Sequence, residues 1–251
     1  MLVKLLKKLS SISEFVSRNG LKSFLELKKK NIHYSRYELF NKSWLKELNV
    51  KTVLDIGANI GEFSLIFDQI FDKPKIYAFE PLPECIRKLN DISKNYKNLE
   101  VKPFALGNSN SKEIIYVSSW APSSSLLKMG ELHKKAAPHS AGSEEIVINV
   151  KKLDDVLFPS DIENNLLIKI DVQGFERNVI LGGKNIFKLA KVIIIEMSFD
   201  ELYDQEPRFG ELYNELIELG FEYKGSLKQS VSRIDDSFLQ CDGIFINKFI
   251  D

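Results

Sequence analysis

The chain has 251 residues, 44% of them hydrophobic and 28% charged, and its 35 Lys and Arg are matched by 35 Asp and Glu. That composition belongs to a globular protein with a sizeable core, and no apolar run reaches the ~18–20 residues that span a bilayer, which excludes a disordered chain and an integral membrane protein. A formal balance of zero also argues against a dedicated nucleic-acid binder, whose phosphate contacts leave a basic excess.

The balance is uneven along the chain. Residues 1–50 carry 11 Lys and Arg against 4 Asp and Glu, and the remainder carries 24 against 31. Within the basic part, Leu2, Leu5, Leu6, Leu9, Ile12 and Val16 recur at helical spacing, with Lys4, Lys7, Lys8, Ser11 and Arg18 opposite. Such a helix either attaches to an anionic membrane surface or a partner through residues 1–18, or caps the main domain with its leucines buried. The lack of Trp in the stripe favours capping. Two more helical stretches, at about 21–30 and 35–48, make residues 1–48 a helical extension ahead of a domain over 49–251. The second carries Tyr37, Phe40, Trp44 and Leu45 on one side.

From there strands at 52–56, 76–79, 99–104, 166–170 and 192–195 alternate with helices at about 63–71, 83–96, 176–189 and 207–219. Most of the strands are nearly continuous in Ile, Leu, Val or aromatic residues, as expected when both faces of a parallel sheet are covered. The pattern predicts a doubly wound, mostly parallel α/β sheet. Residues 108–150 interrupt it with Ser-rich and charged text, with strand-like runs at 114–117 and 146–150, and are expected to form an insertion on the substrate side. Two further strands, at 221–224 and 243–247, are expected with an irregular loop between them. Cys85 and Cys241 are far apart and form no CxxC pattern, which points to a reducing, cytoplasmic setting without a disulfide framework. The first eight residues are too interrupted by lysine for a signal peptide.

The most informative stretch is Val53-Leu54-Asp55-Ile56-Gly57-Ala58-Asn59-Ile60-Gly61-Glu62. It runs a buried strand into a loop with glycines four apart, and the loop opens a helix. Loops of this kind receive nucleotide-like cofactors. Glu80, at the end of the next strand, has two oxygens able to accept both ribose hydroxyls. Dinucleotide binding calls for G-x-G-x-x-G, but Asn59 stands where the second glycine would be, and Asp55 would oppose a pyrophosphate. S-adenosylmethionine (SAM), with a sulfonium, an ammonium and a ribose but no phosphate, suits this loop better.

With these residues, and with Phe79-Glu80-Pro81, Phe104-Ala105-Leu106-Gly107, Leu153-Asp154-Asp155, Lys169-Ile170-Asp171-Val172-Gln173-Gly174-Phe175-Glu176 and Ile195-Glu196, the chain resembles the FkbM family of SAM-dependent methyltransferases. The resemblance covers about residues 50–200 and implies the seven-stranded class I methyltransferase fold. It further implies that Asp55 and the loop of Gly57, Ala58, Asn59 and Gly61 hold the amino acid part of SAM. Glu80 would hold the ribose, and Leu82 and Ala105 would lie near the adenine. The acceptor it implies is a hydroxyl of a sugar, glycan or secondary metabolite.

Asp171, Glu176 and Glu196 are expected to point into the crevice at the carboxyl ends of the strands, as base or as holders of acceptor hydroxyls. Alternatively, Glu176 merely favours a helix N-terminus and Asp171 orders the turn. No spacing demands a metal. His33 reads as structural, His133 and His139 as surface residues, and residues 123–125 as a flexible serine loop. The expected partner is a small-molecule or glycan acceptor and not a nucleic acid. The competing reading is an RNA or protein methyltransferase docking through the basic extension. It lacks the Asn/Asp-Pro-Pro-Tyr type string, because Asp171 is followed by Val172-Gln173-Gly174.

Overall fold

The computed structural model describes residues 2–250, and within them the side chains of residues 2–5, 7 and 8 lie outside the description. The chain begins with helices α1 (Leu2–Lys29), α2 (Tyr34–Phe40) and α3 (Ser43–Glu47), then runs through β1 (Thr52–Ile56), α4 (Glu62–Ile70), β2 (Lys75–Phe79), α5 (Pro83–Ser93) and β3 (Leu99–Lys102). Next come β4 (Ala105–Leu106), β5 (Ser111–Ser118), α6 (Glu131–Ala136), β6 (Ser143–Lys151) and α7 (Leu153–Val156). The chain continues with β7 (Leu166–Ile170), α8 (Glu176–Leu181), α9 (Lys184–Phe187), β8 (Ala190–Ser198), α10 (Phe209–Glu218), β9 (Phe221–Val231) and β10 (Phe238–Asn247).

The apolar runs build a seven-stranded sheet in the order β3-β2-β1-β7-β8-β10-β9. Its first five strands are parallel, and β10 is antiparallel to both β8 and β9. Every residue of β1 and β7 is buried, because each face of the sheet carries its own apolar layer. Leu54, Ile56 and Ile168 pack on one side with Val179, Phe187 and Leu216 of α8, α9 and α10. Val53, Ala78 and Leu167 pack on the other with Phe67 of α4 and Leu89 of α5, and with Phe15, Leu27, Phe40 and Leu45 from the N-terminal helices. The chain leaves β1 in one direction toward β2 and returns to β1's other side as β7. Helices on opposite faces diverge there, which opens a crevice at the carboxyl ends of β1 and β7.

Four local expectations change. The leucines of α1 were expected to be buried by capping, but Leu6 and Leu9 are exposed while Phe15 carries the packing. The ring of Phe15 meets Phe24, Tyr34 and Tyr37, and α1 is broken at Gly20 (φ 82°, ψ 152°). The side chains of Leu2, Leu5, Lys4, Lys7 and Lys8 lie outside the described residues. The helix expected over 35–48 is two, α2 and α3, and the one over 176–189 is α8 and α9, parted by Gly182 and Gly183. The third strand stops at Lys102, so Ala105 belongs instead to β4 of a second, three-stranded sheet ordered β4-β6-β5. The loop expected between 224 and 243 is mostly strand, with only residues 232–237 outside β9 and β10.

The small sheet sits over the carboxyl end of the large one. Ile115, Ile148 and Val150 bury against Leu82 and Cys85 at the start of α5. At its other side, a bridge between Met129 and Tyr203, with Gly130 N–H donating to the Leu202 carbonyl at 2.8 Å, ties the inserted segment to the loop after β8.

Candidate active site

Between the two sheets lies a cavity of about 690 Å³. Its floor is made by the strand ends: residues 56–60, Glu80 to Leu82, Asp171 to Gln173, and Glu196. Its roof is the inserted segment, from Trp120 to Leu126 with His133 and His139. Arg36 of α2 stands on one side, and Lys228, Gln240 and Asp242 of the C-terminal hairpin stand on another.

The glycine loop is shaped by close approach of backbone to backbone. Gly57 has φ +81°, and a Cβ there would lie 1.9 Å from the carbonyl oxygen of Asp171. Only glycine lets the β1 and β7 loops pass this close. Gly57 and Ala58 both donate to the Phe79 carbonyl at 3.0 Å, which folds the loop over the end of β2. The Glu80 carboxylate then closes it, accepting from Asn59 N–H and Leu82 N–H at 2.8 Å each. Each carboxylate oxygen retains a free lone pair. Burial pushes Glu80 up to about 7 in spite of these two bonds. Ala58, Asn59, Leu82 and Ala105 also line the cavity.

Asp55 and Gly61 do not line it. Asp55 is completely buried beneath the loop, where Oδ2 accepts from the Ser64 hydroxyl at 2.6 Å and Oδ1 has no partner. Burial raises its pKa, although Lys169 and Ser64 pull the other way. Gly61 is the N-cap of α4 and faces α5, where a Cβ would lie 2.9 Å from Leu89 Cδ2.

Of the three acids expected in the crevice, two face it. Asp171 Oδ2 pairs with Lys169 Nζ at 3.1 Å, and Lys169 is 2% exposed with its ammonium 4.1 Å from the Phe63 ring centroid. Burial alone would lower the Lys169 pKa, but the carboxylates of Asp171, Asp55 and Asp242 outweigh it and raise it. Asp171 in turn is held below the ordinary range against its own burial by Lys169 and Gln173. Glu196 is raised well above the ordinary range by burial and by the charge of Asp171. Glu176 instead turns back under its own loop, where Oε1 accepts from Val172 N–H at 3.0 Å and Gly174 N–H at 3.3 Å. Those turn amides have no strand partner, and the first residue of α8 is the carboxylate within reach. Burial lifts Glu176 to about 7.

Gln173 links the acids and received no role from the sequence. Its backbone is left-handed (φ 55°), a conformation that costs a non-glycine residue on the order of 1 kcal/mol. The side chain compensates: Nε2 donates to Asp171 Oδ1 and to Glu196 Oε2, both at 2.7 Å. Its Oε1 lies 2.9 Å from the Tyr203 hydroxyl, which also lies 3.0 Å from the Ser123 carbonyl in the roof. Ser125, 2% exposed, donates to the Gln173 carbonyl at 2.6 Å, so the serine run is pinned and not a flexible loop.

His133 is likewise no surface residue. It is 7% exposed, its ring stands edge-on to Tyr203 at 5.0 Å, and its Nδ1 is buried without a partner. Burial, then His139, lowers its pKa. No sequence signal marks His133 or Tyr203, since they meet only through the docking of α6 on the loop after β8. Among the described residues no three His, Cys, Asp or Glu side chains converge as a metal-ligand set.

Sheet order, reversed last strand and a crevice beside β1 define the class I methyltransferase fold. Residues 55–223, more than half of the chain, match the methyltransferase FkbM domain family, and the chain belongs to that family. A methyltransferase FkbM from Methylobacillus flagellatus KT shares the fold, with a TM-score of 0.52 and 13% identity over 83% of this chain and 47% of that one. The 2-O-methyltransferase NoeI of Sinorhizobium fredii is 27% identical over 61% of this chain and 65% of its own length. Methyltransferase sdnD of Sordaria araneosa is 29% identical, with 57% and 65% covered. The hexuronic acid methyltransferase AglP of Haloferax volcanii is 27% identical, with 61% and 59% covered. The chain thus spans less than two thirds of the length of each of these curated relatives.

Proposed function

We propose that the protein is a SAM-dependent methyltransferase acting on a hydroxyl of a sugar, glycan or secondary metabolite. The observation that carries this reading is the Glu80 carboxylate, fixed between the amides of Asn59 and Leu82 on the floor of a cavity shared with Asp171 and Glu196. Family membership, the 2-O-methyltransferase name of NoeI and the hexuronic acid methyltransferase name of AglP support it.

When bound, SAM supplies a methyl group activated by a sulfonium. The protein must therefore align the acceptor, exclude water and take up a proton. The backbone from Gly57 to Asn59 would hold the amino acid end of the cofactor. The free lone pairs of Glu80 would accept the ribose hydroxyls, and Leu82 and Ala105 would flank the adenine. Asp55 and Gly61 act on the loop from below, through Ser64 and α5. Asp171, kept ionised by Lys169, favours a positive charge in the cavity.

Glu196 Oε1, the oxygen that Gln173 does not hold, receives the acceptor's proton. A cation in the cavity favours its ionised form, and its raised proton affinity makes it the stronger base of the two. Glu176 contributes by fixing the turn that carries Asp171 and Gln173. Calorimetry with SAM and S-adenosylhomocysteine tests the cofactor site: Glu80→Gln should weaken both at least tenfold, and equal affinities would defeat the assignment. Transfer of a labelled methyl group to neutral glycosides and to uronosides then sorts the acceptors.

A further inference from the structure

Outside the cavity, α1 presents apolar side chains that no other described residue covers. Leu6, Leu9, Leu21 and Leu25 are 56%, 53%, 58% and 54% exposed. They are not displaced core residues, because the same helix already buries Phe15 and Leu27 on its inner side. Residues 21, 25, 28 and 29 share one helical face, so Lys28 and Lys29 continue the line of Leu21 and Leu25, with Lys22 beside it. Leu21, Lys22, Leu25, Glu26 and Lys29 together line a shallow groove there. Lys22, Lys28 and Lys29 are exposed and form no ion pair among the described residues, although Lys30, next in the chain, pairs with Asp68. Across residues 2–29 the sequence has seven Lys or Arg and two Glu.

We propose that the second half of α1 seats the protein on an anionic phospholipid surface, with Leu21 and Leu25 entering the headgroup–acyl boundary and Lys22, Lys28 and Lys29 meeting lipid phosphates. Apolar residues bordered by unpaired lysines are the pattern of an interfacial helix. Charge decides between this occupant and a second copy of the chain. A two-fold contact through the same face would set lysines against lysines, whereas an anionic bilayer attracts them at about 1 kcal/mol each. No helix among the described residues is long and apolar enough to cross a membrane, and α1 is broken at Gly20, so the contact runs along the surface.

Flotation of the full chain with vesicles of phosphatidylcholine, alone or mixed with phosphatidylglycerol, tests this with neither cofactor nor acceptor present. Its result is therefore separate from that of the methyl-transfer assay. Binding should require phosphatidylglycerol and weaken with salt. Lys22→Glu/Lys29→Glu should lower it more than tenfold, at roughly fivefold per lysine from simple charge loss. Leu21→Ser/Leu25→Ser should lower it similarly. Circular dichroism verifies folding of both variants, and the lysine pair alters no buried side chain. Equal binding to the two vesicle types would overturn the proposal, as would binding to neither. A leucine variant that keeps vesicle binding but shifts a dimer to monomer in light scattering would assign the face to a second copy instead.

Discussion

The floor of the cavity is made by strand ends, and its roof by a segment that builds its own small sheet. On the floor, main-chain groups take part in most of the contacts: Gly57 passes against the Asp171 carbonyl, and backbone amides of Asn59, Leu82 and Val172 hold the carboxylates of Glu80 and Glu176. In the roof, side-chain contacts such as the edge-on meeting of His133 with Tyr203 add to the backbone bridge between Met129 and Tyr203. The difference separates two tasks. On the proposed reaction the floor would hold the cofactor and the roof would face the acceptor.

Substitutions ordered by expected effect probe that division. Gly57→Ala drives a Cβ into the Asp171 carbonyl and should cost roughly 3 kcal/mol or more in chemical denaturation, with loss of cofactor binding. A mild effect would mean that the floor is not backbone-limited. Gln173→Leu removes the amide that both acids share and should cost about 2–3 kcal/mol, because Asp171 Oδ1 and Glu196 Oε2 lose their donor. Tyr203→Phe, which cuts the link from floor to roof, should cost about 1 kcal/mol. His133→Gln should leave S-adenosylhomocysteine affinity within twofold while altering acceptor use. A tenfold change in cofactor affinity would abolish the distinction between floor and roof.

Proton linkage gives a further test. Glu80 and Glu176 are both raised to about 7, so folding takes up protons. Their contribution to stability is fully present below the usual glutamate value of about 4.5 and is lost as the pH rises through about 7. Apparent melting temperature should fall over that interval. Cation binding should reverse the trend: near pH 7, SAM should release more protons than S-adenosylhomocysteine, which lacks the sulfonium charge, read by calorimetry in buffers of different ionisation enthalpy.

The fold was legible where burial on both faces leaves continuous apolar text, as in β1 and β7. It was illegible where a strand lies at an edge. β9 continues to Val231 through Lys224, Gly225, Ser226, Lys228 and Gln229, because an edge strand with one wet face needs little apolar content. In the site, the place of Glu80 on the cavity wall was legible because it directly follows β2. The inward turn of Glu176 could not, since it depends on the unpaired amides of Val172 and Gly174. The burial of His133 depends on a six-residue helix docking against a loop far along the chain.

The position of β10 inside the sheet, between β8 and β9, has a consequence for synthesis. A nascent chain that has emerged as far as residue 231 presents eight of the ten strands whole and a ninth that has no neighbour to pair with. Until residues 238–247 emerge, the edge of β8, with its Val192-Ile193-Ile194-Ile195 run, is bare, and Gln240 and Asp242 are missing from the cavity wall. A nascent or nicked chain lacking β10 would present that edge to other chains as an aggregation template.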